Sequence, residues 1–125
     1  MRLLLDTHVF LWTVTNDRRL TKRSRKLIQE SDVVFVSSAS IWEASIKAGM
    51  GKLDADIDAL ASAIVSSGFI ELPVRAVHAV GVKTLPNIHR DPFDRMLVAQ
   101  AMREPLHLLT ADRILASYSS LVVMI

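Results

Sequence analysis

The sequence predicts an α/β fold in which a mainly parallel sheet is flanked by helices on both faces. Five short apolar runs alternate along the chain with segments whose apolar side chains recur at three- and four-residue spacing, the signature of strand–helix–strand units. The first run, Leu3-Leu4-Leu5, is apolar at every position, as a strand covered on both faces must be.

That run, residues 2–5, leaves the sheet at Asp6, and a helical pattern follows over 7–15. A second helix is expected over 21–30. Val33-Val34-Phe35-Val36 is β-branched and aromatic and ends in Ser37-Ser38, a strand followed by a cap, with a helix over 39–48. Gly49 and Gly51 bracket Met50, so 47–54 is expected to be the flexible break before a helix over 55–66. Phe69 to Leu72 reads as the third strand and 74–82 as the next helix. Asp91-Pro92-Phe93-Asp94 combines an N-cap, a proline at the first helical position and an acid at the third, opening a helix over 92–103. Leu106 to Thr110, a short helix over 112–117, and Leu121 to Ile125 complete the alternation.

With 125 residues the chain is expected to form one domain, 1–125, since domains commonly hold about 100 to 150 residues. Half of the residues are hydrophobic, yet no apolar run approaches the roughly 18 to 20 residues that span a membrane, so a soluble protein with no membrane partner is expected. The leading leucines stop at Asp6, which lacks the pattern of a secretory leader and points to the cytoplasm. Cysteine is absent, so any metal must be held by oxygen or imidazole. Six of the fifteen basic residues, Arg18, Arg19, Lys22, Arg23, Arg25 and Lys26, fall in one stretch, leaving nine basic against thirteen acidic side chains elsewhere, a balance of −4. Such a basic pole suits an anionic partner such as nucleic acid, or it is the solvated face of a helix packed through Leu20, Leu27 and Ile28.

In an open parallel sheet the functional crevice lies beyond the carboxyl ends of the strands. Asp6 follows the first strand, Glu43 sits about one turn past the second, Asp94 opens the helix before the fourth, and Asp112 follows that fourth strand. Each acid also has a local reading. Asp6, Asp91 and Asp112 can cap helices, and Ser40 with Glu43 has capping-box spacing. Four acids arriving at one sheet edge are better explained together, as oxygen ligands for one or two hard divalent cations, because unneutralised carboxylates would repel one another.

Leu3-Leu4-Leu5-Asp6-Thr7-His8, Ser37-Ser38-Ala39-Ser40-Ile41-Trp42-Glu43, His89-Arg90-Asp91-Pro92-Phe93-Asp94-Arg95 with its alanine-rich helix, and Leu109-Thr110-Ala111-Asp112 together resemble the motifs of the PIN-domain family, within it the VapC-like toxins of toxin–antitoxin pairs. The resemblance implies a three-layer α/β/α PIN-like fold and a metal-dependent endoribonuclease with Asp6, Glu43, Asp94 and Asp112 as catalytic and metal-site residues. It also implies Mg²⁺, with Mn²⁺ as substitute, an RNA substrate, a cognate antitoxin and a homodimer. Asp6 and Asp94 would be the principal ligands, Glu43 a ligand or the orienter of the attacking water, and Asp112 a ligand directly or through water. Asp94 stands before Leu97, Ala99 and Ala101 as the family pattern requires, which leaves Asp91 as the helix cap. Thr7 and Thr110 are placed to hydrogen-bond the carboxylates or a bound water.

Lys47, four residues after Glu43, forms a helical ion pair or contacts phosphate. The four histidines show no ligand spacing, and Trp12 and Trp42 are expected in the core or an interface. Two rival functions remain: a PIN-like module that binds RNA or protein without cutting, and a phosphotransferase phosphorylated at the aspartate after the first strand. The second of these expects an acid where His8 stands.

Overall fold

A computed structural model describes residues 1–125. The elements run β1 (Arg2–Leu5), α1 (Thr7–Val14), α2 (Lys22–Glu30), β2 (Val33–Ser37), α3 (Ser38–Gly49), α4 (Ile57–Ser66), β3 (Ile70–Leu72), α5 (Ala76–Val82), α6 (Pro92–Arg103), β4 (His107–Thr110), a 3₁₀ turn (Arg113–Ser117) and β5 (Val122–Met124). Every predicted strand and helix is present within a few residues of its expected bounds. The five strands form one sheet in the order β3-β2-β1-β4-β5, and every pairing is parallel.

Side-chain alternation along β1 explains the layers. Leu3 and Leu5 point into one core with Val9, Phe10, Val34, Val36, Ala44, Ile64 and Leu109, supplied mainly by α1 to α4. Leu4 points the other way, to Leu97, Val98, Leu106, Leu108 and Leu115, beneath α6 and the 3₁₀ turn. A three-layer α/β/α architecture results. All three leucines have no exposed surface, which is why the run could carry no polar residue before Asp6. No helix is long and apolar enough to cross a membrane.

The chain starts in the middle of the sheet, builds outward through β2 and β3, then returns to the other side for β4 and β5. The connection leaving β1 and the one leaving β4 enter different layers, and a crevice opens at the carboxyl edge between them. The break after α3 is a closed turn: Lys52 N–H donates to the Lys47 carbonyl at 2.8 Å, with Gly51 at φ +73°. On the second face, buried His78 joins α5 to α6, accepting from Arg75 N–H at Nδ1 (3.0 Å) and meeting Glu104 at Nε2.

Truncating Leu4, the residue shared by the central strand and the second core, should cost about 2–5 kcal/mol. Urea denaturation of Leu4→Ala measures this directly.

Candidate active site

Asp6 occupies the first position beyond β1, where its extended backbone (φ −72°, ψ 170°) lets it cap α1. Its Oδ1 accepts from Val9 N–H at 2.8 Å, and its Oδ2 accepts from the Thr110 hydroxyl at the end of β4. Capping and burial in the crevice are thus the same placement, and the side chain is almost fully enclosed. Burial pushes its pKa up, the Thr110 and Val9 hydrogen bonds oppose that, and nearby Glu43 adds a smaller upward push.

Glu43 points inward from α3. The local alternative for Glu43, a capping box with Ser40, does not form: Ser37 caps α3 through Ala39 N–H (3.0 Å), and the Ser40 hydroxyl accepts from Thr7 (3.0 Å). Thr7 therefore braces α1 against α3 and does not bind a carboxylate, whereas Thr110 does. Freed from capping, Glu43 Oε2 pairs with Lys47 Nζ at 2.8 Å, the helical ion pair of the sequence reading. Its Oε1 is buried with no partner. Lys47 is held above the usual lysine range first by that hydrogen bond, with weaker contributions from the charges of Asp91 and Asp94.

Asp91 is the N-cap of α6, accepting from Phe93 N–H (2.8 Å) and Asp94 N–H (3.2 Å), with Pro92 in the first turn. Asp94 lies one turn into the helix and faces the crevice. Its pKa is pushed up to about 7, first by burial and then by the negative charges of Asp91, Asp6 and Glu43, against a downward pull from His89. Asp112 caps the 3₁₀ turn through Ile114 N–H (3.0 Å), while its backbone N–H donates to Thr110 Oγ1 (3.0 Å).

His89 joins the last two acids and is the residue that sequence reasoning missed. Its Nε2 lies 3.0 Å from Asp112 Oδ2 and 3.2 Å from Asp94 Oδ2. A local signal existed, because His89 stands two residues before the Asp91 cap and accepts its N–H at Nδ1 (3.1 Å). Its link to Asp112 is not local. The four predicted acids are therefore brought together: Thr110 links Asp6 to Asp112, His89 links Asp112 to Asp94, and Asp94 feels both Asp6 and Glu43.

The donor set suits a hard divalent cation. It is all carboxylate, with the imidazole of His89 beside it, it leaves Glu43 Oε1 buried without a donor, and burial together with the charges of Asp91, Asp6 and Glu43 pushes the Asp94 pKa up. One ligand atom each from His89, Asp94 and Asp112 falls within 4.8 Å of the others. Trp12 packs against the first core, but Trp42 is 63% exposed and meets Phe93 edge-on, 5.0 Å between ring centroids.

Compared with known families, residues 3–121 match the PIN domain. This chain belongs to the PIN-domain family. Its members are generally nucleases that use a divalent metal. Among solved structures this PIN domain is similar in fold to a VapBC2 complex from Rickettsia felis bound to a promoter DNA fragment: TM-score 0.71, 14% identity, 99% of this chain and 97% of that one covered. It is equally similar to a DNA-bound VapBC from Salmonella typhimurium, with TM-score 0.71, 14% identity and 99% and 96% coverage. FitAcB from Neisseria gonorrhoeae follows with TM-score 0.62, 17% identity and 90% and 89% coverage. A search of curated proteins finds no match to the sequence.

The raised pKa of Asp94 sets the sign of a pH effect. Unfolded, the group ionises near 3.8; folded, near about 7, so between these values the folded PIN domain holds a proton that the unfolded chain releases. Raising the pH through that window favours unfolding. The melting temperature of the metal-free protein should therefore fall as pH rises from near 3.8 through about 7, and Asp94→Asn should flatten that decline in calorimetric scans at stepped pH.

Proposed function

We propose that the chain is an endoribonuclease that hydrolyses RNA phosphodiesters with Mg²⁺, Mn²⁺ serving as substitute, and that it is the toxin of a VapBC-type toxin–antitoxin pair, acting in the cytoplasm as one domain over residues 1–125. The observation that carries this reading is a crevice in which Asp94 lies within the field of Asp6 and Glu43 and, with His89, close to Asp112, while Glu43 Oε1 is buried without a donor. Family membership supports the nuclease chemistry. The toxin role, the RNA substrate and an antitoxin partner draw support from the motif resemblance and from fold similarity to VapBC complexes.

When bound, the divalent cation lowers the pKa of a coordinated water and neutralises charge that builds on the phosphate and the leaving oxygen. The chain's own residues supply position. Asp6 and Asp94 are the principal metal-site carboxylates, and the hydrogen bonds from Val9 and Thr110 hold Asp6 in one orientation. Glu43 Oε1 is the oxygen free to bind the cation or to orient the attacking water, since Lys47 occupies Oε2. Asp112 is a ligand directly or through water. Beside the acids runs a groove lined in part by Thr7, Trp12, Asp17, Arg19, Lys47 and Lys52, where Arg19 is paired with Asp17 and Lys47 with Glu43. Trp42, Ile46 and Met50 recur every fourth residue as an exposed apolar stripe along α3, which supports a contact with a second copy of the chain.

Incubating the purified protein with structured RNA and Mg²⁺ or Mn²⁺ tests the proposal. Wild type should cut, chelation should stop it, and Asp6→Asn should lower kcat/KM by roughly 100-fold or more. Sequencing RNA ends after expression of the two forms should show new ends only with Asp6 intact. Equal inertness of both proteins would sink the nuclease assignment in favour of a PIN module that binds RNA or protein without cutting.

A further inference from the structure

His89 has two nitrogens with different fixed partners. Nδ1 accepts the Asp91 backbone N–H at 3.1 Å, so its lone pair is committed and the ring proton sits on Nε2. That N–H donates to Asp112 Oδ2 (3.0 Å), and Asp94 Oδ2 lies 3.2 Å from the same nitrogen. Asp112 Oδ1 is already held by Ile114 N–H, so the imidazole fixes the other oxygen of the same carboxylate.

The segment that carries the ring is itself braced. The His89 backbone N–H donates to the Tyr118 hydroxyl at 2.6 Å. Arg95, the neighbour of Asp94, turns its guanidinium away from the acids: Nη1 donates to the Tyr118 hydroxyl (3.1 Å), the Pro86 carbonyl (3.0 Å) and the His89 carbonyl (3.4 Å). Arg95 and Tyr118 thus pin the loop before α6 to the end of the 3₁₀ turn after β4; Asp94 lies in the first turn of the helix that follows that loop, and Asp112 caps the 3₁₀ turn.

We propose that His89 is a positioning residue, whose Nε2–H, fixed by the Asp91 backbone, holds Asp112 Oδ2 beside Asp94 Oδ2 and so sets the two carboxylates for metal binding. The inference rests on the metal site proposed above. Direct ligation by Nε2 would require its proton to move to Nδ1, where it would face the Asp91 N–H, so the fixed tautomer makes His89 a donor to ligands. Groups that orient ligands in this way typically contribute about 10- to 100-fold to metal affinity.

The test is Mn²⁺ binding to the purified protein by calorimetry, with ¹⁵N NMR of the histidine rings. His89→Leu should weaken Mn²⁺ binding by about 10- to 100-fold, and His89→Gln, whose amide can donate from a similar reach, should recover most of it. Tyr118→Phe, which loosens the brace without touching an acid, should weaken binding in the same direction by less. In wild type the proton should stay on Nε2 before and after Mg²⁺ is added. Wild-type affinity in both His89→Leu and Tyr118→Phe, or loss of the Nε2 proton on adding Mg²⁺, overturns the proposal while leaving the metal site standing. Undiminished binding in Asp94→Asn overturns the metal site and this inference with it.

Discussion

The Thr110 hydroxyl donates to Asp6 Oδ2 while accepting the Asp112 backbone N–H, and so joins two acids 106 positions apart in the chain through one buried side chain. Its place follows from strand register. Leu5 pairs with Leu109, which sets Thr110 just beyond the pair and level with Asp6 at the carboxyl edge. A slip of one residue would turn Thr110 to the opposite face and separate the acids. The geometry of the site therefore depends on the register of the two central strands, which the flanking leucines secure by burial on both faces.

That placement creates an electrostatic conflict. Beyond the effect of burial, Glu43 raises the proton affinity of Asp6, and Asp91, Asp6 and Glu43 raise that of Asp94. The compensation within the chain comes from Lys47 on Glu43, from Thr110, Val9 and His8 at Asp6, and from His89 beside Asp94 and Asp112. A core packed for stability alone would not gather these groups. Their cost is tolerable because each acid is held by bonds that also serve the fold: Asp6, Asp91 and Asp112 each cap a helical element. Structural and chemical roles thus coincide at three positions, whereas Glu43 and Asp94 have no capping duty, and Glu43 keeps one oxygen buried without a donor.

Similarity to VapBC structures at 14% identity illustrates how little of this architecture depends on particular core residues. Any apolar set that fills two layers about a parallel sheet supports the switch point between β1 and β4. Chemistry is decided at the edge of that sheet, by a few polar groups and the hydrogen bonds that orient them.

The sequence by itself determined the strands, the helices, the parallel sheet and the four acids, because each is signalled locally. An apolar run ending at Asp6 or near Asp112, and a cap such as Asp91-Pro92, follow from bonds among near neighbours. Only the tertiary structure decided which polar groups meet. Ser40 takes Thr7 in place of Glu43, Trp42 lies at the surface despite its apolar neighbours, and His89 bridges Asp94 to Asp112 under the hold of Tyr118. Those partners stand 23 to 33 residues apart except for His89 and Asp94. Periodicity records which face of an element is buried, but a hydrogen bond across elements exists only once packing has fixed their separation and orientation.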